Sequence, residues 1–125
     1  AAVDVHAFSH VTGGGLAANL ARVIPADVAV DLDRSTWMPA PIFTTIGERG
    51  QVEQLDLERT FNMGIGMIAV VAQTDADAAI DLLAQRGVRA WSCGTVRARQ
   101  ANEQGDSEAK GGTGGAVTLV GAHRE

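Results

Sequence analysis

Between residues 9 and 16 the chain reads Ser9-His10-Val11-Thr12-Gly13-Gly14-Gly15-Leu16, three consecutive glycines between an apolar, strand-like stretch and a run with helical spacing. A strand that must turn at once into a helix is the strongest constraint in the sequence. Glycines leave no Cβ between the backbone and a ligand, and they adopt left-handed dihedrals that strain other residues. The first four N–H groups of the helix that follows have no internal partner, and together with the helix dipole they attract phosphate or carboxylate. His10 and Thr12 add side-chain donors at the same corner. Thr12, Gly13, Gly14 and Gly15 are therefore a candidate anion site; the alternative for the same residues is a tight strand-to-helix turn that binds nothing.

At 125 residues the chain has the length of one domain, and it is short for an enzyme that must hold two large ligands. Hydrophobic residues make up 46% and charged residues 20%, the balance of an ordinary globular domain. A net charge of −5 with only 10 lysines and arginines argues against nucleic acid or an anionic membrane as partner, since either needs a basic face. The single cysteine, Cys93, rules out an intramolecular disulfide and fits a cytoplasmic setting. No apolar run has the length of a membrane span, and nothing reads as a signal peptide. Ala1-Ala2-Val3-Asp4 has no initiator Met and runs straight into a strand-like segment, so the chain is expected to be a domain of a longer polypeptide.

Val3 to Val11 reads as a strand with Phe8 and Val11 in the core. Leu16, Leu20, Val23 and Ile24 share one face of a helix that Pro25 stops, with Asn19 and Arg22 off that stripe, facing ligand or water. A short strand is expected over Asp27 to Leu32, then a helix opened by Pro41 with Ile42, Phe43 and Ile46 as its buried side. Trp37 reads as a core or interface anchor, and Gln51 to Thr60 as a short amphipathic helix.

A second informative stretch, Arg59-Thr60-Phe61-Asn62-Met63-Gly64-Ile65-Gly66-Met67, leads into Ile68-Ala69-Val70-Val71-Ala72. The latter run is apolar on both alternating faces, which predicts a central strand covered on both sides. Gly64 and Gly66 at its start mark a bulge or the close approach of something else, a packed helix or a ligand. Thr74 is expected to cap a helix whose buried stripe is Ala76, Ala79, Ile80 and Leu83 and which Gly87 closes. Val88 to Val96 resumes a strand. Ala98 to Gly115 is polar, glycine-rich and aperiodic, a mobile loop. Ala116 to Ala122 is a last strand, paired with the one before the loop as a long hairpin. The alternation implies an α/β (α+β) sandwich of one mixed sheet with packed helices.

Self-contained catalytic sets are missing. His6, His10 and His123 lack metal-ligand spacing, so no metal site is expected. Cys93 sits in an apparent strand beside Trp91 and reads as a buried, inert thiol. There is no P-loop and no GxSxG, and Asp75, Asp77 and Asp81 look like the solvated face of one helix.

The motifs His10-Val11-Thr12-Gly13-Gly14-Gly15-Leu16, Asn19-Leu20, Arg22-Val23-Ile24-Pro25, Trp37 with Pro41-Ile42-Phe43, Arg59 through Met67, and Ala90-Trp91 before Gly94, in this order, resemble the C-terminal half of the phosphoribosylformylglycinamidine cyclo-ligases, also called aminoimidazole ribonucleotide synthetases. The resemblance runs from about Val3 to Val96. It implies a step of de novo purine synthesis in which ATP, assisted by Mg²⁺, activates the amide oxygen of formylglycinamidine ribonucleotide as a phosphate ester; a nitrogen then attacks, phosphate leaves and the imidazole closes. It further implies that a separate N-terminal half carries most ATP and Mg²⁺ contacts and forms a homodimer, so that this chain by itself is inactive. Carried over to this sequence, Thr12 and the amides of Gly13 to Gly15 hold a phosphate, His10 donates to that anion or to the amide oxygen, and Asn62, Gly64 and Gly66 line the cleft opposite. The other readings are a non-catalytic anion- or nucleotide-binding domain of the same fold, and half of a related ATP-dependent kinase or amidotransferase.

Overall fold

The computed structural model describes residues 3–124. In chain order the elements are β1 (Val5–His10), α1 (Gly15–Val23), β2 (Val28–Asp33), α2 (Pro41–Gly50), α3 (Gln54–Thr60), β3 (Met67–Val71), α4 (Ala76–Gln85), β4 (Gly94–Ala98) and β5 (Ala116–Val120). Short 3₁₀ turns lie at Arg34–Thr36 and Gln73–Asp75. The α/β class follows the expected alternation. Where one mixed sheet is expected, hydrogen bonding divides the strands in two: an antiparallel β1–β3 pair, and a mixed sheet in the order β4–β2–β5.

α1 joins the two. Its Leu16, Leu20 and Ala21 are completely buried, Ala17 nearly so, and the helix packs on β1, β5 and α3. Two fully buried leucines contribute about 1.5–3 kcal/mol each. Extended backbone at Ile24, ahead of Pro25, ends the helix as expected. The core continues through Val30 and Leu32 of β2, Val117 and Leu119 of β5, Leu57 of α3, and Trp37, Met63 and Ile65.

Four expectations are corrected by this packing. The strand covered on both sides is β2, with Ala29 and Val30 buried on opposite faces and a neighbour on each edge; β3 pairs only with β1, and of its residues only Ile68 is buried. β5 forms no hairpin with β4: it adds in parallel to the other edge of β2. The intervening segment makes this possible by crossing α1, with the Gly115 amide donating to the Ala21 carbonyl at 3.0 Å. Phe8 is 61% exposed, because β1 turns Ser9 and Val11 into the core and leaves Phe8 and His10 on its open side. The apolar stripe of α4 is not buried, since only the preceding 3₁₀ turn packs substantially against that helix; Leu83 remains exposed, and Asp75, not Thr74, stands at the cap position.

Three smaller differences accompany these. Residues 88–93 are irregular, with β4 beginning at Gly94. Ile42 faces solvent while Phe43 and Ile46 are half-buried against the core. The aperiodic segment between β4 and β5 is tied down at many points: the Asp106 amide donates to the Val117 carbonyl, the Lys110 amide to the Ala18 carbonyl, and the Arg99 guanidinium to the Ala26 carbonyl.

Candidate functional site

The three glycines of the first turn have three different jobs. Gly14 sits at φ +100°, the left-handed region, as the residue that caps α1. Gly15, at φ +84°, lies against the backbone of α3, where a Cβ would collide with the Glu58 carbonyl. Its amide donates to the Thr12 carbonyl at 3.2 Å, so it closes the turn internally. Gly13 faces open space and is exposed. Among the described residues, the Gly13 and Gly14 amides meet no protein acceptor. Both stand at the positive end of α1.

Asn19 fixes this turn from inside. It is fully buried, and its Nδ2 donates to the carbonyls of Gly15 (2.7 Å), Thr12 (3.1 Å) and Gly13 (3.4 Å). Three carbonyl partners settle which end of the amide is nitrogen. Oδ1 must therefore accept, and the Thr12 hydroxyl donates to it at 3.2 Å. The turn's carbonyls are drawn inward onto Asn19.

The second turn is held as firmly. Met63 has φ +54°, unusual for a residue with a side chain. It is kept there by burial, by the Trp37 indole, whose Nε1 donates to the Met63 carbonyl at 3.0 Å, and by Asn62 Oδ1, which accepts from the Gly64 amide at 2.8 Å. A Cβ on Gly64 or Gly66 would meet nothing within 4 Å. Neither glycine is there to admit a packed helix.

The two turns meet at the same end of the β1–β3 ladder. His10 pairs with Met67, and one step further the Val11 amide donates to the Gly66 carbonyl at 3.0 Å. Thr12 to Gly14 and Gly64 to Gly66 are thus neighbours along one edge, not opposing walls. His10, exposed, lies on the open face beside Met67. A cation completes the corner: Lys110 Nζ donates to Thr12 Oγ1 at 3.0 Å and to the Gly13 carbonyl at 3.1 Å.

Asn19, expected off the apolar stripe and facing ligand or water, is instead buried inside this corner, and Lys110 is not among the expected site residues. Asn19 is four residues after Gly15, the spacing at which a helical side chain reaches back to the turn below it. Lys110 is the one lysine in the chain and lies in an aperiodic segment, where no pattern signals its position.

Behind the first turn, α3 is anchored by an ion pair whose carboxylate is buried. Glu58, with a side chain 1% exposed, receives Arg34 through two bonds of 2.7 and 2.8 Å, and Arg34 also donates to the carbonyls of Leu119 and Gly121. Hydrogen bonding to Glu58 pushes the Arg34 guanidinium further above its already high range. The pair holds in place the helix backbone against which Gly15 packs. A cavity of about 970 Å³ shares Arg34 and Met63 with this frame and is otherwise lined by side chains such as Met38, Phe43 and His123, away from the open glycine surface. Cys93 is a free, half-buried thiol that burial pushes up, the setting of an unreactive one. Among the described residues no group of three or more His, Cys, Asp or Glu could hold a metal ion. No helix among them is long and apolar enough to cross a membrane.

Residues 1–105 match the family described as AIR synthase related protein, C-terminal domain. The chain is 60% identical, over 96 residues, to a Streptomyces fradiae protein assigned as a phosphoribosylformylglycinamidine cyclo-ligase; the match covers 77% of this chain and 53% of that protein. It is 42% identical over 94 residues to the phosphoribosylformylglycinamidine cyclo-ligase of Nitrosococcus oceani, covering 75% of this chain and 26% of the relative. The chain therefore spans about half of the first relative and a quarter of the second. With both glycine turns inside the matched span, the chain belongs to the AIR synthase related protein family and corresponds to its C-terminal domain.

Proposed function

We propose that this domain supplies the substrate-side wall of a phosphoribosylformylglycinamidine cyclo-ligase, closing formylglycinamidine ribonucleotide to aminoimidazole ribonucleotide at the expense of ATP. The observation that carries this reading is the meeting of the two glycine turns at one end of the β1–β3 ladder, with the Gly13 and Gly14 amides open at the start of α1. Those amides hold a phosphate, of the ribotide or the one being transferred. Thr12 and Gly15 shape the turn, and His10 donates to the anion or to the amide oxygen. The open turn at Asn62, Gly64 and Gly66 borders the ribotide. Donors fixed before reaction stabilise charge that develops on a transferring phosphoryl group, by about 3–4 kcal/mol for a well-placed one.

ATP phosphates and Mg²⁺ are held chiefly by parts of the enzyme outside this chain. The exposed Phe8 and Met67 on the open face of β1–β3 fit a surface that meets that other part. The complete enzyme works as a cytoplasmic homodimer, with neither nucleic acid nor membrane as partner. The relatives' names favour the cyclo-ligase over the kinase, amidotransferase and non-catalytic readings.

The test is a chimera in which this chain replaces the matched stretch of the Nitrosococcus oceani relative. ATP-dependent ring closure by the chimera, lost in Gly14→Val, is the expected result. A folded chimera without ring closure, or one whose Gly14→Val variant is as active, contradicts it.

A further inference from the structure

We propose that the cavity of about 970 Å³ between α2, α3 and residues 121–124 is a second ligand site, for an organic anion with an apolar body, and that its occupant acts on the turn at Asn62 to Gly64 through Met63. The volume falls within the range of small-molecule sites, roughly 300–1,000 Å³. Phe43 of α2, Leu55 and Leu57 of α3, Met38 and Met63 give the cavity an apolar floor. Such a floor favours an aliphatic or aromatic body over water.

The charges around the cavity select the head group. Arg34 is committed to Glu58 and to the carbonyls of Leu119 and Gly121. Asp106 is engaged as well, its Oδ2 accepting from the Leu119 amide at 2.7 Å. Arg124 is exposed, lines the cavity and has neither a hydrogen bond nor an ion pair among the described residues. Asp33 feels its charge, but Asp33 Oδ1 already accepts from the amide and the hydroxyl of Ser35. A guanidinium so placed pairs with a carboxylate or a like anion.

Cavity and turn share Met63. The residue lines the cavity, bends the turn at φ +54°, and offers its carbonyl to Trp37 Nε1 at 3.0 Å. His123, on the cavity wall, stands edge-on to Trp37 with ring centroids 4.8 Å apart. An occupant therefore touches the residue that bends the turn and the ring that packs on the indole holding it. A ligand that favours one arrangement of these side chains biases the turn by its difference in affinity between the two. The site stands independently of what the glycine turns bind.

The experiment titrates 4-phenylbutyrate, and the neutral 4-phenylbutan-1-ol, into the ¹⁵N-labelled chain, into Arg124→Gln and into Leu55→Trp. Wild type is expected to give a saturable shift of the Phe43, Leu55 and His123 amides, with Gly64 moving along the same curve and the amides of Phe8 and α4 in place. The alcohol with wild type, and the butyrate with Arg124→Gln, should each bind about threefold more weakly at low salt, the loss of one exposed ion pair, and the difference should fade at high salt. Leu55→Trp fills the cavity and should abolish the response; if it loses the fold, Thr44→Trp, at an exposed lining position, is read by the same criteria. No saturable response, shifts spread equally over Phe8 and α4, or a response that the tryptophan variant retains overturns the site. An unchanged Kd in Arg124→Gln overturns the role of Arg124 in choosing an anion. Saturable binding that leaves Gly64 unmoved overturns the coupling to the turn.

Discussion

Asn19 and Thr12 are bonded to each other twice: the Thr12 hydroxyl donates to Asn19 Oδ1, and Asn19 Nδ2 donates back to the Thr12 carbonyl. One buried side chain on the second turn of α1 thereby sets the shape of the loop that precedes the helix. Asn19→Leu keeps the size and removes every bond to the carbonyls of Thr12, Gly13 and Gly15. It should cost about 2–4 kcal/mol in urea unfolding, since the Gly15 carbonyl loses a buried partner. Unchanged stability would mean that the turn holds itself.

Gly13 and Gly15 should respond oppositely to the same change. Gly15→Ala drives a Cβ into the Glu58 carbonyl at a positive φ and should cost more than about 2 kcal/mol. Gly13→Ala adds its methyl to open space and should alter stability by less than about 0.5 kcal/mol. Thermal unfolding of the two variants, side by side, checks this.

Glu58 is buried and Arg34 part-buried, so removing the carboxylate leaves the guanidinium with only the Leu119 and Gly121 carbonyls. Glu58→Ala should cost about 3–5 kcal/mol and loosen α3 from α1, visible as faster amide exchange in both helices. A surface pair would cost about 1 kcal/mol or less, and that smaller value would contradict the burial argument.

At the far edge of the three-stranded sheet, Arg97 bridges Asp31 of β2 and Glu103 beyond β4, holding the Glu103 carboxyl down to about 2 from its usual 4.5. A depressed carboxylate contributes stability that is fully present above its unfolded value and is lost as pH falls through the folded one. The stability difference between wild type and Glu103→Gln should therefore be largest above 4.5 and shrink toward about 2. Urea midpoints at several pH values measure it, and a difference that stays constant across that window would contradict it.

Much of the site was legible in the sequence because its features are local. A run of three glycines before a helix, and two glycines before a strand, declare open backbone without knowledge of anything distant. What could not be read is where strands find partners. Met67 to Val71 is as apolar as a central strand, yet the burial of Ala29 and Val30 puts β2 in that place, and only the path of residues 99–115 over α1 decides that β5 joins β2 in parallel. The same path delivers Lys110 to Thr12, a contact between residues almost a whole chain apart. Phe8 illustrates a parity error: the face that β1 buries is set by Ser9 and Val11, and a period of two leaves the larger side chain outside.

On the proposed reading the Gly13 and Gly14 amides hold a phosphate of a ribotide that the turn at Asn62, Gly64 and Gly66 also borders. The measurement that tests it most directly is an amide-resonance titration of the chain with ribose 5-phosphate. Gly13 and Gly14 are expected to shift together with Gly64 and Gly66 along one binding curve, while the amides of α4 stay in place. Saturable binding that leaves either turn unmoved, or two curves with different midpoints, would contradict it.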